Sequence, residues 1–317
     1  MGRYVIKRVI QAIPIFIGIT FIVFMLSNMA PGSPIDIIAS SAGLNAEQLQ
    51  ALKEAYGLDK PVLVRYFIWL MGIFQGDLGV STSTNVPVAT IIGQRIGASL
   101  TLSCTALVFS IIIGVFLGIM SAYKPYSIWD KVSSVFAFIG SSMPSFFIAL
   151  VMIYIFAVKL KWLPASGMYG SGAKDLANLV KHLILPAIIV SMQSIGGYIK
   201  QTRGAMLESI NEDYIKTARS KGISEWAVTI KHALRNALIP IVTQIGLSVP
   251  YIVGGSVVTE QIFAWPGIGS LMVNAVNTFD YNMIMGITVL ISIVVLIVNI
   301  VLDVVYAYLD PRIAAEA

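Results

Sequence analysis

Charge is scarce in this sequence. Charged residues fill 12% of 317 positions and apolar residues 57%, against roughly 25% and 45–50% in soluble domains. That balance excludes a soluble fold. One cysteine, Cys104, and two histidines, His182 and His232, occur in the whole chain, so disulfide frameworks, Cys/His zinc sites and haem-attachment patterns fall away together. The net charge of +5 does not make a nucleic-acid binder, because so few charges offer no broad basic face to phosphates. The basic excess belongs on loops beside anionic membrane lipid. No G-x-x-x-x-G-K-[ST] loop is present, which excludes nucleotide hydrolysis of the P-loop kind. No G-x-S-x-G or G-x-S-G motif is present either, and the two histidines fall at opposite edges of the membrane. An intramembrane serine protease is thereby excluded.

What the chain has in abundance is long stretches without Asp, Glu, Lys or Arg. Six approach or exceed the ~20 residues that a helix needs to cross hydrocarbon: Val9 to Met29, Gly97 to Tyr123, Val132 to Val158, His182 to Ile199, Ala237 to Thr259 and Tyr281 to Leu302. The fold class expected is an all-α integral membrane protein with six transmembrane helices. Ion-coupled carriers usually keep ionisable groups inside the bundle, so none of these spans suits coupling to an ion gradient. Arg3, Lys7 and Arg8 precede the first apolar core as in a signal peptide. That core is too long for one, and Asn28-Met29-Ala30 lacks the small-x-small cleavage pattern, so it reads as a retained helix.

Orientation follows from Lys and Arg in the loops. With the N-terminus inside, segments 1–8, 124–131, 200–236 and 303–317 hold 13 basic residues and the opposite segments only 8. Both termini are expected in the cytoplasm. Breakers recur within the spans at Pro14, Gly114, Gly118, Pro144, Pro186, Gly196, Pro240, Pro250, Gly254 and Gly255. Such breaks persist in lipid where protein or a water-lined cavity re-satisfies the backbone. As a set they favour a protein that encloses a pathway. Gly114 and Gly118 also form a small-xxx-small packing face.

Two extramembrane segments carry pattern. In 30–96, Asn45 can cap a helix from Ala46 to Tyr56 that stops at Gly57. A second amphipathic stretch follows Pro61, with Val64, Phe67, Ile68 and Met71 on one side, and ends at Gly76-Asp77-Leu78-Gly79. The segment is either an interfacial helix pair on lipid or a docking surface. In 200–236, Met206, Leu207, Ile210, Tyr214 and Ala218 recur at helical spacing. Gly222 breaks the run, Ser224 can cap a new helix, and Trp226, Ile230, Leu234 and Leu238 form its apolar stripe. The spacing predicts two short helices joined at a glycine, a knob facing the cytosol. An amphipathic hairpin lying on headgroups has the same spacing.

These residues resemble a known family, the "B" permease subunits of ATP-binding-cassette importers for dipeptides, oligopeptides and nickel. The matching stretches are Tyr4 to Arg8, Pro31-Gly32-Ser33-Pro34, Tyr56 to Pro61, Gly76 to Gly79, Ser142-Met143-Pro144, Tyr214 to Gly222, His232 to Pro240, Trp265 to Gly269 and Asp310-Pro311-Arg312. Nine in order along nearly the whole chain make the likeness specific. The knob is similar to the family's coupling loop, with Lys216-Thr217-Ala218 in its Glu-Ala-Ala slot, Gly222 at its glycine, and His232 opening the last slot with the proline deferred to Pro240. The resemblance implies the type I importer permease fold and an ATPase-coupling loop containing Tyr214, Thr217, Ala218, Gly222, Trp226 and His232. It also implies a homologous second permease, two ATPase subunits that carry ATP and Mg, and an extracytoplasmic peptide-binding protein.

On this reading residues 1–29 are an N-terminal segment and first helix, 30–96 an extracytoplasmic helical segment, and 97–309 the importer transmembrane domain with coupling loop 200–236. Residues 310–317 are a cytoplasmic tail. The chain is expected in the prokaryotic plasma or inner membrane as a non-catalytic subunit, with no cofactor of its own, conducting dipeptides or oligopeptides. A permease for nickel or another small solute is the alternative. A stand-alone channel or receptor-like membrane protein is the distant one.

Overall fold

The computed structural model describes residues 2–29, 45–55, 57–170, 173–248 and 256–309. Several features of the sequence therefore lie outside the described residues: Pro31-Gly32-Ser33-Pro34, Tyr56, Pro250, Gly254, Gly255 and Asp310-Pro311-Arg312. The elements are helical: α1 Gly2–Met29, α2 Ala46–Ala55, α3 Val62–Phe74, α4 Val88–Tyr123, α5 Ile128–Ser142 and α6 Ser145–Met152, which widens into a π-helix at Ile153–Lys159. They continue with α7 Leu176–Ile210, α8 Asp213–Ser220, α9 Leu234–Ser248, α10 Val257–Ile262, α11 Ile268–Asn277 and α12 Tyr281–Leu309. A helical turn at Glu225–Ala227 and a π-helix at Val228–Ala233 lead into α9.

Among the described residues, four helices are long and apolar enough to span a membrane: Ile6–Met29, Val88–Tyr123, Leu176–Ile210 and Tyr281–Val305. The expected third span is not one straight helix. It is α5 and α6, bent by 106°, because Pro144 has no N–H and holds Met143 extended at φ −88°, ψ 135°. By contrast Pro14, Pro186 and Pro240 sit inside continuous helices. Of the expected fifth span, α9 is described up to Ser248 and 249–255 lie outside the described residues.

The chain divides into two compact units, one of residues 1–97 and 267–317 and the other of 98–266. In the first, α1 packs along α12, and Arg8 pairs with Asp303 at 3.1 Å. Only 11% of the apolar window of α1 is buried, as suits a helix bathed in lipid. Asn45 caps α2 as expected, its Oδ1 accepting from the Gln48 N–H while Gln48 Oε1 accepts from the Asn45 N–H. The side of α3 read as apolar, Val64, Phe67, Ile68 and Met71, is exposed, as either an interfacial helix or a docking surface requires, while Tyr66 and Leu70 are buried. Tyr66 turns inward because its hydroxyl finds partners on α1, donating to Ile17 O at 3.1 Å and meeting Thr20 Oγ1 at 3.1 Å.

The second unit is built around α7. Its 35 residues measure about 52 Å, well beyond the ~30 Å of hydrocarbon, so the 182–199 stretch and the start of segment 200–236 form one helix. Close approach needs glycine here. A Cβ on Gly114 would stand 2.5 Å from Tyr198 Cβ, and one on Gly118 would stand 2.5 Å from Thr202 Cβ, so the small-xxx-small face of α4 seats α7.

Candidate functional site

Two features of the second unit can do something, and both are assembled on the same helices. The first is the knob. Of the two short helices expected, only α8 is short, since the one after the glycine runs on through π-helix into α9. Its core contains Met206, Ile215, Ala218, Val228, Ala233, Ala237 and Ile241, with Ala122 of α4 beside them. The expected stripe packs only in part: Leu234 lies against this core and Trp226 against Tyr123, but Ile230 and Leu238 are exposed, and the buried positions are Val228, Ala233 and Ala237. The i→i+5 turns at Val228–Ala233 shift the register away from the four-residue α repeat read in the sequence. Ser224 sits at the start of the new helix but its hydroxyl makes no capping bond.

The six residues of the expected coupling loop have different environments. Tyr214 is partly exposed and its hydroxyl lies 2.6 Å from Ser209 Oγ, which donates to Ala233 O at 3.0 Å. Thr217 is exposed and bonds back to Asp213 O, and Ala218 is buried in the knob core. Gly222 has φ +77°, and a Cβ added to it would meet nothing within 4 Å. Trp226 packs edge-on against Tyr123, ring centroids 5.2 Å apart. His232 is half-buried in the π-helix. Across the glycine turn, Arg219 donates to both carboxylate oxygens of Glu225 at 2.8 and 3.2 Å.

The second feature, which the sequence reading missed, is a cleft of about 440 Å³. Three helices line it: Ser103 and Ser110 from α4, Gln193, Ser194, Gly197 and Tyr198 from α7, and Gln244 and Ser248 from α9, with Ser256 beyond. Among the described residues its lining carries no charge. Tyr198 donates to Ser248 Oγ at 2.9 Å, but no protein partner holds the Gln193, Ser194 or Gln244 side chains among the described residues. The signal was present as polar residues at helical spacing, 103 and 110, 194 and 198, 244 and 248. A search for ionisable groups passes over it.

Buried carboxylates elsewhere hold structure together. Asp130 receives Arg203 at 2.9 and 3.1 Å and the Tyr126 N–H at 2.9 Å, with Ser121 alongside, joining α5 to α7. Glu260 accepts from Ser99 Oγ at 2.7 Å, and the buried Trp265 indole donates to Ala98 O at 2.8 Å.

Long apolar helices around an uncharged polar cleft, with a compact knob at one end of the same helices, define a multi-pass membrane protein of the permease class. Residues 114–315 match the binding-protein-dependent transport system inner membrane component, and residues 1–105 match the N-terminal part of such membrane components. The chain belongs to this family. A Brucella suis protein carrying a peptide permease name is 41% identical over 316 residues, 99% of each chain. The oligopeptide transport system permease protein AppB of Bacillus subtilis is 38% identical over 99% of each chain. The dipeptide transport system permease protein DppB of Escherichia coli is 35% identical, again over 99% of each. Among solved structures, a chain of the methionine transporter MetNI, crystallised in inward-facing conformations, matches with TM-score 0.51 and 19% identity, covering 72% of this chain and 97% of that one. That likeness concerns the fold.

Proposed function

We propose that the chain is one permease half of an ATP-driven importer of dipeptides or oligopeptides, and that peptide passes along the neutral cleft. The cleft is the observation that carries this reading. Unpaired carboxamide and hydroxyl groups offer both donors and acceptors to peptide amides and distinguish no side chain by charge. A metal pathway would want carboxylate, imidazole or thiol ligands instead, so nickel is the weaker reading. The full-length likeness to permeases named for peptides points the same way.

The chain has six membrane-crossing segments in this proposal, both termini cytoplasmic, in a prokaryotic plasma membrane. It performs no bond chemistry. ATP and Mg belong to two partner ATPase subunits, a homologous permease completes the pathway, and an extracytoplasmic binding protein delivers peptide. The knob is the surface the ATPase grips, through exposed Tyr214, Thr217 and Trp226, with Gly222 and His232 shaping it and Ala218 holding it together from inside.

Three helices tie knob to cleft. Helix α7 has Met206 in the knob core and Tyr198 in the cleft wall, α9 has Ala237 and Gln244, and α4 has Ala122 and Ser110. Each pair is separated by some 10–18 Å of rigid helix. A rotation imposed on the knob therefore reaches the cleft without an intermediary, which is the kind of packed two-state element that alternating access requires. The test is uptake by the purified importer in liposomes, with Gln193→Leu and Gln244→Leu combined. We expect ATP-dependent dipeptide accumulation to fall at least tenfold while the ATPase subunits still co-purify. Unchanged accumulation would remove the cleft from the pathway, and accumulation of nickel in place of peptide would overturn the substrate.

A further inference from the structure

The first unit holds a second cavity, of about 240 Å³, beside α3 and the start of α12. Its polar lining is rich in donors. Lys60 and Arg65 contribute cationic groups, and among the described residues no carboxylate pairs with either. Trp69 and Thr82 also line it, and the Trp69 indole N–H and the Thr82 hydroxyl are buried without a hydrogen-bond partner among the described residues. Such orphaned donors are uncommon in folded proteins and each costs about 1–3 kcal/mol unless a ligand or water answers it. Desolvation also lowers the Arg65 pKa from its ordinary value, as expected of a guanidinium withdrawn from water beside too little negative charge. Two cations without a carboxylate partner, on a cavity whose other lining residues include two with unanswered donors, describe an oxyanion site.

The surface next to the cavity says what the oxyanion is attached to. Ile68 lines the cavity and is exposed, and Phe67, Met71 and Phe74 continue that exposed apolar face along α3. A free anion has no use for this face, whereas an acyl chain does. We propose that the cavity binds the phosphate of an anionic phospholipid, between Lys60, Arg65, Trp69 and Thr82, with its acyl chains lying on the exposed face of α3. The absence of a paired carboxylate on either cation, among the described residues, favours a headgroup of net negative charge over a zwitterionic one. The inference concerns the first unit alone and does not rest on the peptide pathway.

The experiment uses the full chain purified in mild detergent, exposed to mixed micelles containing equal phosphatidylglycerol and phosphatidylcholine, with retained lipid counted by native mass spectrometry. Wild type should retain phosphatidylglycerol in preference to phosphatidylcholine. Arg65→Gln should lower that retention at least fivefold. Trp69→Phe, which keeps an aromatic ring and removes the donor, should lower it two- to threefold. Among the described residues Arg65 makes no ion pair that its loss would break, and an unshifted size-exclusion profile verifies the fold of each variant. Equal retention by wild type and both variants would overturn the site. Complete displacement of phosphatidylglycerol by millimolar inorganic phosphate would overturn the lipid and leave a free-oxyanion site.

Discussion

Two sets of polar groups, one in each unit, are treated in opposite ways. In the first, the Asp280 carboxylate is buried and fully answered: it accepts from the Thr82 N–H, Ser83 N–H, Ser83 hydroxyl and Met283 N–H at 3.0–3.4 Å, with the Ser81 hydroxyl closer still. It ties the 81–83 loop to the start of α12, 199 positions away in sequence from Ser81. In the second unit, the Gln193, Ser194 and Gln244 side chains stand unanswered among the described residues, around an open cleft. A carboxylate that has exhausted its acceptor sites on its own chain is a fastener. A neutral group with spare donors and acceptors, held on an open cleft of about 440 Å³ among apolar helices, is free to meet a solute.

The sharpest way to break that comparison is at the fastener. Asp280→Ala removes the acceptor of the buried Ser81 hydroxyl and of the part-buried Thr82 and Ser83 groups, and losing hydrogen bonds to a charged group costs roughly 1.5–3 kcal/mol each where no water replaces them. We expect a loss on the order of 3 kcal/mol in the stability of the detergent-solubilised protein, read as a large fall in its thermal unfolding midpoint. Gln193→Leu should leave that midpoint nearly unchanged, since no protein partner is lost. If both substitutions shift the midpoint alike, the division between fastening and solute-facing polar groups fails.

A smaller effect, on coupling and not on stability, is expected at the knob. Gly222 has φ +77° and open space around it, so a side chain meets no steric wall and only the left-handed backbone resists substitution, by roughly 1–2 kcal/mol. Gly222→Val should re-aim the chain between α8 and Trp226, lowering peptide uptake at least tenfold, about 1.4 kcal/mol of coupling. Membrane insertion should be normal and ATPase co-purification weakened. Gly222→Asn, which tolerates this backbone better, should retain most uptake. Equal loss in both variants would mean that the side chain obstructs a partner and that the turn geometry is not the cause.

Membrane character, the long apolar helices and the turn at Gly222 were legible in the sequence because they depend on local properties: hydropathy over ~20 residues and the φ > 0 tolerance of glycine. The bend at Pro144 was half legible, since the proline was visible but three other prolines remain inside continuous helices. Which residues of the knob face inward was legible before the glycine, where Met206 and Ala218 are buried with Leu207 and Ile210 against them, but not after it, because the π-turns at Val228–Ala233 alter a register that an α-helical count takes as fixed. Nor was the inward turn of Tyr66, which depends on an acceptor at Ile17, 49 positions away. The cleft was overlooked for a different reason. Serine and glutamine are ordinary in a membrane helix one at a time, and they acquire meaning when three helices bring them to one space.

The least effect is expected at the most visible interaction of the knob. Arg219 grips Glu225 with two bonds across the Gly222 turn and looks like the clasp of the corner. Its side chain is 41% exposed and that of Glu225 59%, so water competes for both partners, and exposed pairs of this kind contribute about 0.2–1 kcal/mol. If the corner is set by the backbone of Gly222, Arg219→Ala should lower uptake by no more than about twofold, and raising the salt concentration should mimic it weakly in the wild type. If instead the ion pair holds the corner, Arg219→Ala should match the loss seen with Gly222→Val, and Arg219→Lys, which keeps the charge but not the two-pronged geometry, should fall between Arg219→Ala and the wild type. Measuring uptake for the three variants at two salt concentrations decides whether glycine or the ion pair shapes the knob.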